Sequence, residues 1–311
     1  MSLFFKRLFL FIIVVVVIDQ LIGLLLSQLY FSQHKGQFAQ TTYAVDSANQ
    51  DIIVFGSSRA VRHYSPTILS SSLGKSCYNV GRDGQQIPYY AALQEVIFNR
   101  KKPKMVILDI NTWEFFVGSS KYEKLSILLP YCHKHPELIK YVETASPFER
   151  YKLYSAIYPF NSSLFIAANN KIFENKLSFD ENGYDPLDKS MDEAGKIFTK
   201  KIIAQAIKDS KGKQAKTDTL ALSFYKQFLQ KCVDANIPTY VVISPTVAPE
   251  IPNERKDKLL EITKSFPTVT FLDFSSNPNY NDHIEKFADI FHLNKKGSEE
   301  FTKELVSKIK L

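Results

Sequence analysis

The sequence predicts an α/β fold: a three-layer α/β/α sandwich around a five-stranded parallel sheet, with an N-terminal transmembrane helix and a mainly helical insertion. Five short apolar runs, rich in β-branched residues, alternate with segments of helical periodicity. This pattern is typical of strands that are buried on both faces and connected by helices. A long apolar stretch precedes the first run, and a proline-punctuated segment rich in Tyr and Phe separates the third run from the fourth.

Length and composition are those of an ordinary globular protein. The chain has 311 residues, of which 45% are hydrophobic and 23% charged, enough for one large domain or two small ones. The formal net charge is +7. No helix-turn-helix, zinc-finger or RNA-binding signature accompanies that charge, so nucleic acid is not an expected partner. An anionic membrane surface or an acidic polymer fits the charge better.

Residues 1–31 predict a transmembrane signal anchor. Lys6 and Arg7 precede a mostly apolar stretch, Leu8–Phe31, which Asp19-Gln20 interrupt. As a helix, this stretch would be about 36 Å long, enough to cross a bilayer. The early positive charges favour a cytoplasmic N-terminus, with the rest of the chain on the other side. No small-x-small cleavage site follows the stretch, so we expect the anchor to stay attached.

The acidic residue within this span needs a partner or a proton. At the bilayer centre, Asp19 would cost about 2.5–3.5 kcal/mol on insertion scales. Two explanations are open. The carboxyl group is either protonated or bonded within its own helix, or it pairs with a polar group of another membrane protein. Gly23 and Ser27 would let a partner helix approach closely.

The remaining chain divides into a linker and one domain. Residues 32–50 are polar and predict a juxtamembrane linker, and 51–311 predict the α/β domain. The predicted strands are Asp51–Phe55, Ser76–Val80, Met105–Ile110, Thr239–Ser244 and Val269–Phe274. Residues 112–216 interrupt the alternation and predict a largely helical insertion over the carboxyl ends of the strands. It would serve as a lid or substrate wall; a packing subdomain that does not touch the ligand is the alternative.

Two polar motifs suggest a catalytic pair. Gly56-Ser57-Ser58 directly follows the first strand, at the carboxyl edge where open α/β sheets bind ligands. A serine there is a candidate nucleophile if a base can reach it. Asp289 and His292 are three residues apart near the C-terminus, so the carboxylate can orient the imidazole as a base for Ser58.

These motifs resemble those of the SGNH (GDSL-like) hydrolase superfamily. Gly56-Ser57-Ser58 matches the first family block, Gly81 the second, Asn111 the third, and the pair Asp289 and His292 the last. The resemblance covers roughly residues 50–111 and 217–311. It departs from the family in two places. Ser57 replaces the usual aspartate, and the third block lacks its Gly-x-Asn-Asp context, because Asp109 precedes and Thr112 follows the asparagine.

The resemblance implies an SGNH/flavodoxin-like fold and a set of site residues. Ser58 would be the nucleophile, His292 the base, and Asp289 the group that orients the base. The oxyanion would be held by the N–H groups of Ser58 and Gly81 and by the side chain of Asn111. Arg59 and Trp113, next to these motifs, are the expected substrate contacts. No metal and no organic cofactor is expected.

The implied activity is that of a serine-dependent esterase or acyltransferase. The pattern FGSSRA…HLNKKG is similar to membrane-anchored SGNH-like proteins of bacterial envelopes, some of which transfer acyl groups to polysaccharides. The expected substrate is therefore an acylated envelope glycan, O-acetylated glycans among them, or a small ester. The expected location is the bacterial cytoplasmic (inner) membrane, with the domain on the periplasmic, extracytoplasmic side. The alternative is a catalytically inactive SGNH-like protein that binds glycan or acts as a membrane scaffold.

Overall fold

The chain forms two compact units. The computed structural model describes residues 2–161, 163–174, 182–209, 216–247 and 254–310. The first unit, here called the N-terminal unit, comprises Met1–Asp46 and Ser119–Ser178. The second, here called the sheet unit, comprises Ser47–Gly118 and Phe179–Leu311.

The sheet unit contains one five-stranded, fully parallel sheet in the order β2-β1-β3-β4-β5. The strands are β1 (Ile52–Phe55), β2 (Cys77–Asn79), β3 (Met105–Asp109), β4 (Thr239–Ile243) and β5 (Val269–Asp273). From β1 the chain first adds β2 on one side and then β3 on the other. Such a switch point leaves a crevice between the carboxyl ends of the two neighbouring strands, here β1 and β3.

Helices cover both faces of this sheet, so the predicted fold class is confirmed. One group of helices packs around the helix Lys295–Lys308 and the other around the helix Thr219–Asp234. The helices of the sheet unit are α3 (Ser58–His63), α4 (Pro66–Leu73), α5 (Ile87–Arg100), α10 (Glu193–Asp209), α11 (Thr219–Asp234), α12 (Glu254–Lys264), α13 (Pro278–Asn281) and α14 (Lys295–Lys308), with 3-10 turns at Thr112–Phe115 and Ile284–Lys286.

The three central strands form the core of the sheet unit. All four residues of β1 and all five of β4 are buried, and Val106, Ile107 and Leu108 of β3 have no exposed surface. Burying a Val, Leu or Ile side chain contributes about 1.5–3 kcal/mol. The apolar runs therefore have to lie inside the sandwich, and the polar residues that follow them emerge together at its carboxyl edge.

The N-terminal unit is helical in its described parts. Its helices are α1 (Ser2–Phe31), α2 (Gly36–Asp46), α6 (Ser120–Glu123), α7 (Ile139–Val142), α8 (Glu149–Lys152) and α9 (Leu164–Ile172), with 3-10 turns at Lys124–Tyr131, Pro136–Leu138 and Tyr158–Phe160. Within the described residues, one helical segment, Leu3–Phe31, is long and apolar enough to cross a membrane, and only 6% of its most apolar window is buried.

The predicted linker and insertion have a different organisation in the structure. Residues 32–50, predicted as a polar linker, contain helix α2. The predicted insertion, 112–216, is divided between the two units, because Ser119–Ser178 joins the N-terminal helix and the following part joins the sheet. Three pieces of it, residues 162, 175–181 and 210–215, lie outside the described residues.

The side chain of Asp19 is hydrogen-bonded to residues of its own chain. Its carboxylate accepts hydrogen bonds from Ser155 Oγ at 2.6 Å and from the N–H of Ala156 at 2.7 Å. One turn further along α1, Gly23 has no room for a side chain, since a Cβ there would lie 2.3 Å from that of Ala156. Neither explanation offered from the sequence included this contact with residues 155 and 156.

Candidate active site

The candidate nucleophile lies in a tight turn between β1 and α3. Ser57 caps α3, and its Oγ accepts a hydrogen bond from the N–H of Arg59 at 3.4 Å. Ser58 is consequently the first residue of the helix. Gly56 has a φ of +152°, and a Cβ there would lie 2.7 Å from Ala60 Cβ. Only glycine lets the helix start this close to the strand.

Ser58, His292 and Asp289 form a hydrogen-bonded chain. Ser58 Oγ lies 2.7 Å from His292 Nε2, although 234 residues separate the two in sequence. His292 Nδ1 lies 3.0 Å from both carboxylate oxygens of Asp289. Because a carboxylate can only accept, Nδ1 carries the proton, and Nε2 is free to accept from the serine hydroxyl. The arrangement has the geometry of a nucleophile, a base and an orienting carboxylate.

Asp289 also shapes the loop that carries the histidine. Its Oδ1 accepts hydrogen bonds from the N–H groups of Phe291 at 2.8 Å and His292 at 2.9 Å. Partial burial acts to raise the pKa of Asp289, but these bonds and the imidazole hold the pKa below its ordinary value of 3.8. The carboxylate is therefore ionised at neutral pH and stabilises positive charge on the imidazole.

The side chain of His63 also holds this loop in place. This side chain is fully buried; its Nε2 accepts a hydrogen bond from the N–H of Leu293 at 3.0 Å, and its Nδ1 lies 3.1 Å from Ser244 Oγ. Burial, and then the positive charge of Arg59, lowers the pKa of His63 well below 6.5. The neutral ring thus fixes the residue next to His292.

Asn111 is fixed by Glu114, which lies three residues further along the chain. Glu114 Oε1 accepts from Asn111 Nδ2 at 3.0 Å, and Asn111 Oδ1 accepts from the N–H of Glu114 at 3.2 Å. Glu114 Oε2 accepts from the N–H of Ile87 at 3.0 Å. An amide nitrogen carries two hydrogens. One hydrogen of Asn111 Nδ2 is bound to Glu114, which leaves the other for a ligand.

The two predicted backbone donors of the oxyanion site differ in availability. Among the described residues, no hydrogen bond uses the N–H of Ser58. The N–H of Gly81 instead donates to Asn79 Oδ1 at 3.0 Å. A Cβ at Gly81 would lie 2.9 Å from Ala60 Cβ, so this glycine allows β2 and α3 to pack closely. In this geometry its single N–H is already satisfied.

Arg59 is directed into the protein, which differs from the predicted contact with substrate. Its side chain borders a cavity, but the residue is only 4% exposed. The guanidinium donates to Ser244 Oγ, with Nε at 2.9 Å, and to the Ser244 carbonyl oxygen. Asp109 Oδ2 lies 4.0 Å from Nε, and Asp109 Oδ1 accepts from Tyr64 OH at 2.7 Å. Arg59 therefore ties the ends of β1, β3 and β4 together.

Trp113 is exposed beside a cavity at this edge of the sheet. The indole is 49% exposed, and its ring centre lies 6.0 Å from that of Phe291. The cavity measures about 250 Å³. Its wall is mostly apolar and includes Asn111, Trp113, Ile202, Ile203, Val247 and Phe291. Trp113 borders this cavity, and its contact with substrate stays a prediction.

His63 and Ser244 are the site residues that sequence reasoning missed. Ser244 directly follows β4, so its position after a buried strand was an available signal. The sequence around His63 contains no pattern that indicates its role, because its partners Ser244 and Leu293 are 181 and 230 residues away. Among the described residues, no group of three or more His, Cys, Asp and Glu side chains is placed to hold a metal ion.

Comparisons with known proteins give little beyond this geometry. No family model matches the chain, and no curated protein matches it. A solved Streptococcus pneumonia structure, described as that of "a putative platelet activating factor", is similar with a TM-score of 0.40 and 13% identity, over 93% of this chain and 97% of that chain. A likeness of this size identifies neither a family nor an activity. The chemistry of the site has to be inferred from its own residues.

Proposed function

We propose that this chain is a serine-dependent esterase or acyltransferase of the SGNH type that acts on acyl groups of an envelope glycan, O-acetyl groups among them. The observation that carries the proposal is the 2.7 Å contact between Ser58 Oγ and His292 Nε2, with Asp289 on the other ring nitrogen. The mostly apolar cavity at the same edge of the sheet supports it, since small-molecule sites have this character.

Acylation would begin with attack of Ser58 Oγ on the ester carbonyl carbon. His292 Nε2 takes the hydroxyl proton as the new C–O bond forms. The oxyanion is held by the N–H of Ser58 and the second hydrogen of Asn111 Nδ2. One such donor is worth roughly 3–4 kcal/mol in other serine enzymes. The intermediate collapses when His292 returns the proton to the leaving alkoxide, which leaves the acyl group on Ser58.

Deacylation would repeat these steps with a new nucleophile. His292 removes a proton from water or from a sugar hydroxyl, whose oxygen attacks the acyl carbon and releases Ser58. Water gives hydrolysis, and the sugar gives transfer. The residues up to the acyl-enzyme serve both outcomes equally, so the proposal covers the two reactions together.

The proposed setting is the outer face of a bacterial cytoplasmic membrane. Helix α1 is long and apolar enough to cross a bilayer, and Lys6 and Arg7 near its start favour a cytoplasmic N-terminus. The sheet unit would then face the periplasm or the cell exterior, where an envelope glycan or a small ester reaches it. Contact of Asp19 with another membrane protein is not part of the proposal, since Ser155 and Ala156 already bind its carboxylate.

A catalytically inactive glycan-binding or scaffold protein is the second candidate. It is favoured by the hydrogen bond from the N–H of Gly81 to Asn79 Oδ1, which occupies one of the three expected oxyanion donors. An inactive protein would retain the cleft and the fold but would not activate Ser58.

A fluorophosphonate probe separates the two candidates, because only an activated serine reacts with it. We expect the full-length protein to label and Ser58→Ala to remain unlabelled. Ser57→Ala is the matched control: it removes a helix cap, at a cost of about 1 kcal/mol, but leaves the reacting hydroxyl. Absence of labelling in the folded wild type would support the inactive candidate. Labelling lost in Ser57→Ala but retained in Ser58→Ala would place the nucleophile one residue earlier.

Kinetics on a model ester test the assigned roles. His292→Ala should remove nearly all turnover, and combining it with Ser58→Ala should add little, because the two groups act as one unit. Asp289→Asn should leave more activity, since Asp289 orients the base without transferring the proton. Asn111→Ala should lower turnover about 10²–10³-fold if its amide binds the oxyanion.

A further inference from the structure

The N-terminal unit exposes an unusual set of large apolar side chains next to α1. Tyr154 is 83% exposed, Phe165 85% and Ile172 74%. Together with Phe148, Tyr151 and Ile166 they form what we call the 148–172 patch; these three residues are 65%, 61% and 55% exposed. Exposed apolar patches of this kind mark sites that bind another protein or a membrane.

The patch belongs to a segment that runs alongside the outer half of α1. The segment meets α1 at Asp19, through Ser155 and Ala156. It reaches the end of α1 where Lys171 Nζ donates to the Ser32 carbonyl oxygen at 2.9 Å. From Asp19 to Ser32 a helix rises about 20 Å. The segment therefore packs along one side of α1 over that length, where Leu24 and Leu25 remain exposed, while the part of α1 before Asp19 stays uncovered.

The uncovered part of α1 is too short to cross a bilayer by itself. A hydrocarbon core of about 30 Å requires about 20 helical residues. Counted from Leu8, directly after Lys6 and Arg7, 20 residues end at Ser27. Asp19 then lies about 17 Å from the inner boundary of the hydrocarbon. At that depth Ser155, Ala156 and the neighbouring Tyr154 would be inside the outer leaflet.

The charged side chains of residues 149–152 are paired in a way that suits this environment. Glu149 accepts from Lys152 Nζ at 2.6 Å and from Tyr158 OH at 2.7 Å. Arg150 pairs with Glu143 at 2.7 Å. The backbone N–H of Ala156 is satisfied by the Asp19 carboxylate. In hydrocarbon, every such group requires an internal partner. Long Lys and Arg side chains can in addition reach the headgroups.

We infer that residues 148–161 and 163–172 insert into the outer leaflet beside α1, with the 148–172 patch in contact with lipid. Lipid, and not a second protein, is the occupant because the patch continues the lipid-facing surface of α1 at the same depth. Aromatic side chains are also the residues that concentrate at membrane interfaces. The inference rests on the proposed membrane crossing of α1, and it adds a second membrane contact made by a distant part of the chain.

Quenching by brominated lipids tests this contact in the full-length protein. The chain contains one tryptophan, Trp113, so Trp113→Phe gives a silent background. In that background, Tyr154→Trp and Phe165→Trp report on the patch. The samples are vesicles of phosphatidylethanolamine and phosphatidylglycerol with brominated acyl chains. We expect both reporters to be quenched to an extent comparable with a reporter in α1.

Two further reporters serve as controls and separate the anchor from the patch. Phe11→Trp, on the exposed side of α1, should be quenched, and Leu220→Trp, exposed on α11 of the sheet unit, should not. Quenching of Phe11→Trp without quenching at 154 and 165 would overturn the inference and leave the anchor intact. Blue-shifted emission without quenching at 154 and 165 would assign the patch to a protein partner, which also overturns it. No quenching at position 11 would refute the membrane crossing and the inference together.

Discussion

At the scale of single residues, the most unusual group in the site is Glu114. It is 1% exposed, and burial, together with the charge of nearby Asp109, raises its pKa to about 8 against an ordinary 4.5. Hydrogen bonds from the N–H groups of Asn111 and Ile87 oppose this rise without cancelling it. Glu114 is therefore mostly protonated at pH 7 and becomes negative just above it, in direct contact with the amide that would bind the oxyanion.

This ionisation predicts a fall in turnover at alkaline pH. Above pH 8 the new negative charge beside Asn111 opposes a second negative charge on the oxyanion.

The same ionisation should lower the stability of the folded protein as pH rises. Between pH 4.5 and 8 the folded protein binds more protons than the unfolded chain, so the free energy of unfolding decreases as pH rises. Profiles of kcat and of chemical denaturation against pH measure the two effects.

Glu114→Gln should remove the fall in turnover above pH 8 and should flatten the stability profile between pH 4.5 and 8, because an amide does not ionise there. Its turnover at neutral pH should fall, since the amide supplies one acceptor fewer for Asn111 and Ile87. Glu261→Gln, at an exposed position on α12, is the matched control and should keep the wild-type profile. An alkaline decline that persists unchanged in Glu114→Gln would assign it to another group.

At the scale of elements, the loop between Phe287 and α14 carries His292, the proposed base, and α3 holds this loop in place. His63, the last residue of α3, accepts from the N–H of Leu293. His63→Ala should leave that buried N–H without a partner, at a cost of about 1–3 kcal/mol, and should lower kcat more than it raises KM. Hydrogen exchange at residues 289–293 should become faster.

His63→Gln distinguishes positioning from general destabilisation. A glutamine oxygen can replace the imidazole nitrogen as acceptor, so this variant should recover part of the turnover and of the exchange protection. His283→Ala, at a half-exposed position, should change neither. Equal loss in His63→Ala and His63→Gln with unchanged exchange in the loop would contradict the positioning role.

The elements differ in how far the sequence could predict them. All five strands lie within the predicted ranges, because runs such as Ile52–Phe55 are buried on both faces and therefore carry an unbroken apolar signal. The contacts among Ser58, His292 and Asp289 were predicted from two motifs, one directly after the first strand and one near the C-terminus. The links of Arg59 and His63 to Ser244 were not, since long-range pairs leave no local pattern.

At the scale of the whole molecule, the division into two units was the feature the sequence did not predict. Residues 119–178 follow β3 in the chain but pack with α1 and α2. The reason is visible at Asp19, whose partner Ser155 is 136 residues away. A charge in an apolar helix shows that a partner is needed, but its place in the sequence does not say where that partner lies.

The orientation of the chain across the membrane is the remaining large-scale prediction. The three cysteines, Cys77, Cys132 and Cys232, are all buried, so a thiol introduced at the surface should be the main one that reacts in the folded protein. Leu220→Cys in the sheet unit and Leu3→Cys near the start of α1 replace side chains that are 43% and 60% exposed.

In intact spheroplasts, a membrane-impermeant maleimide should label Leu220→Cys and should reach Leu3→Cys only after permeabilisation. The physical reason is that Lys6 and Arg7 hold the short N-terminal segment on the cytoplasmic side. With a single membrane span, the residues that follow α1 then lie on the opposite side of the membrane. The parent chain, with its buried thiols, measures the background. Labelling of Leu3→Cys from outside together with protection of Leu220→Cys would invert the topology and remove the envelope glycan from reach of Ser58. Labelling of neither before permeabilisation would show that α1 does not export the sheet unit.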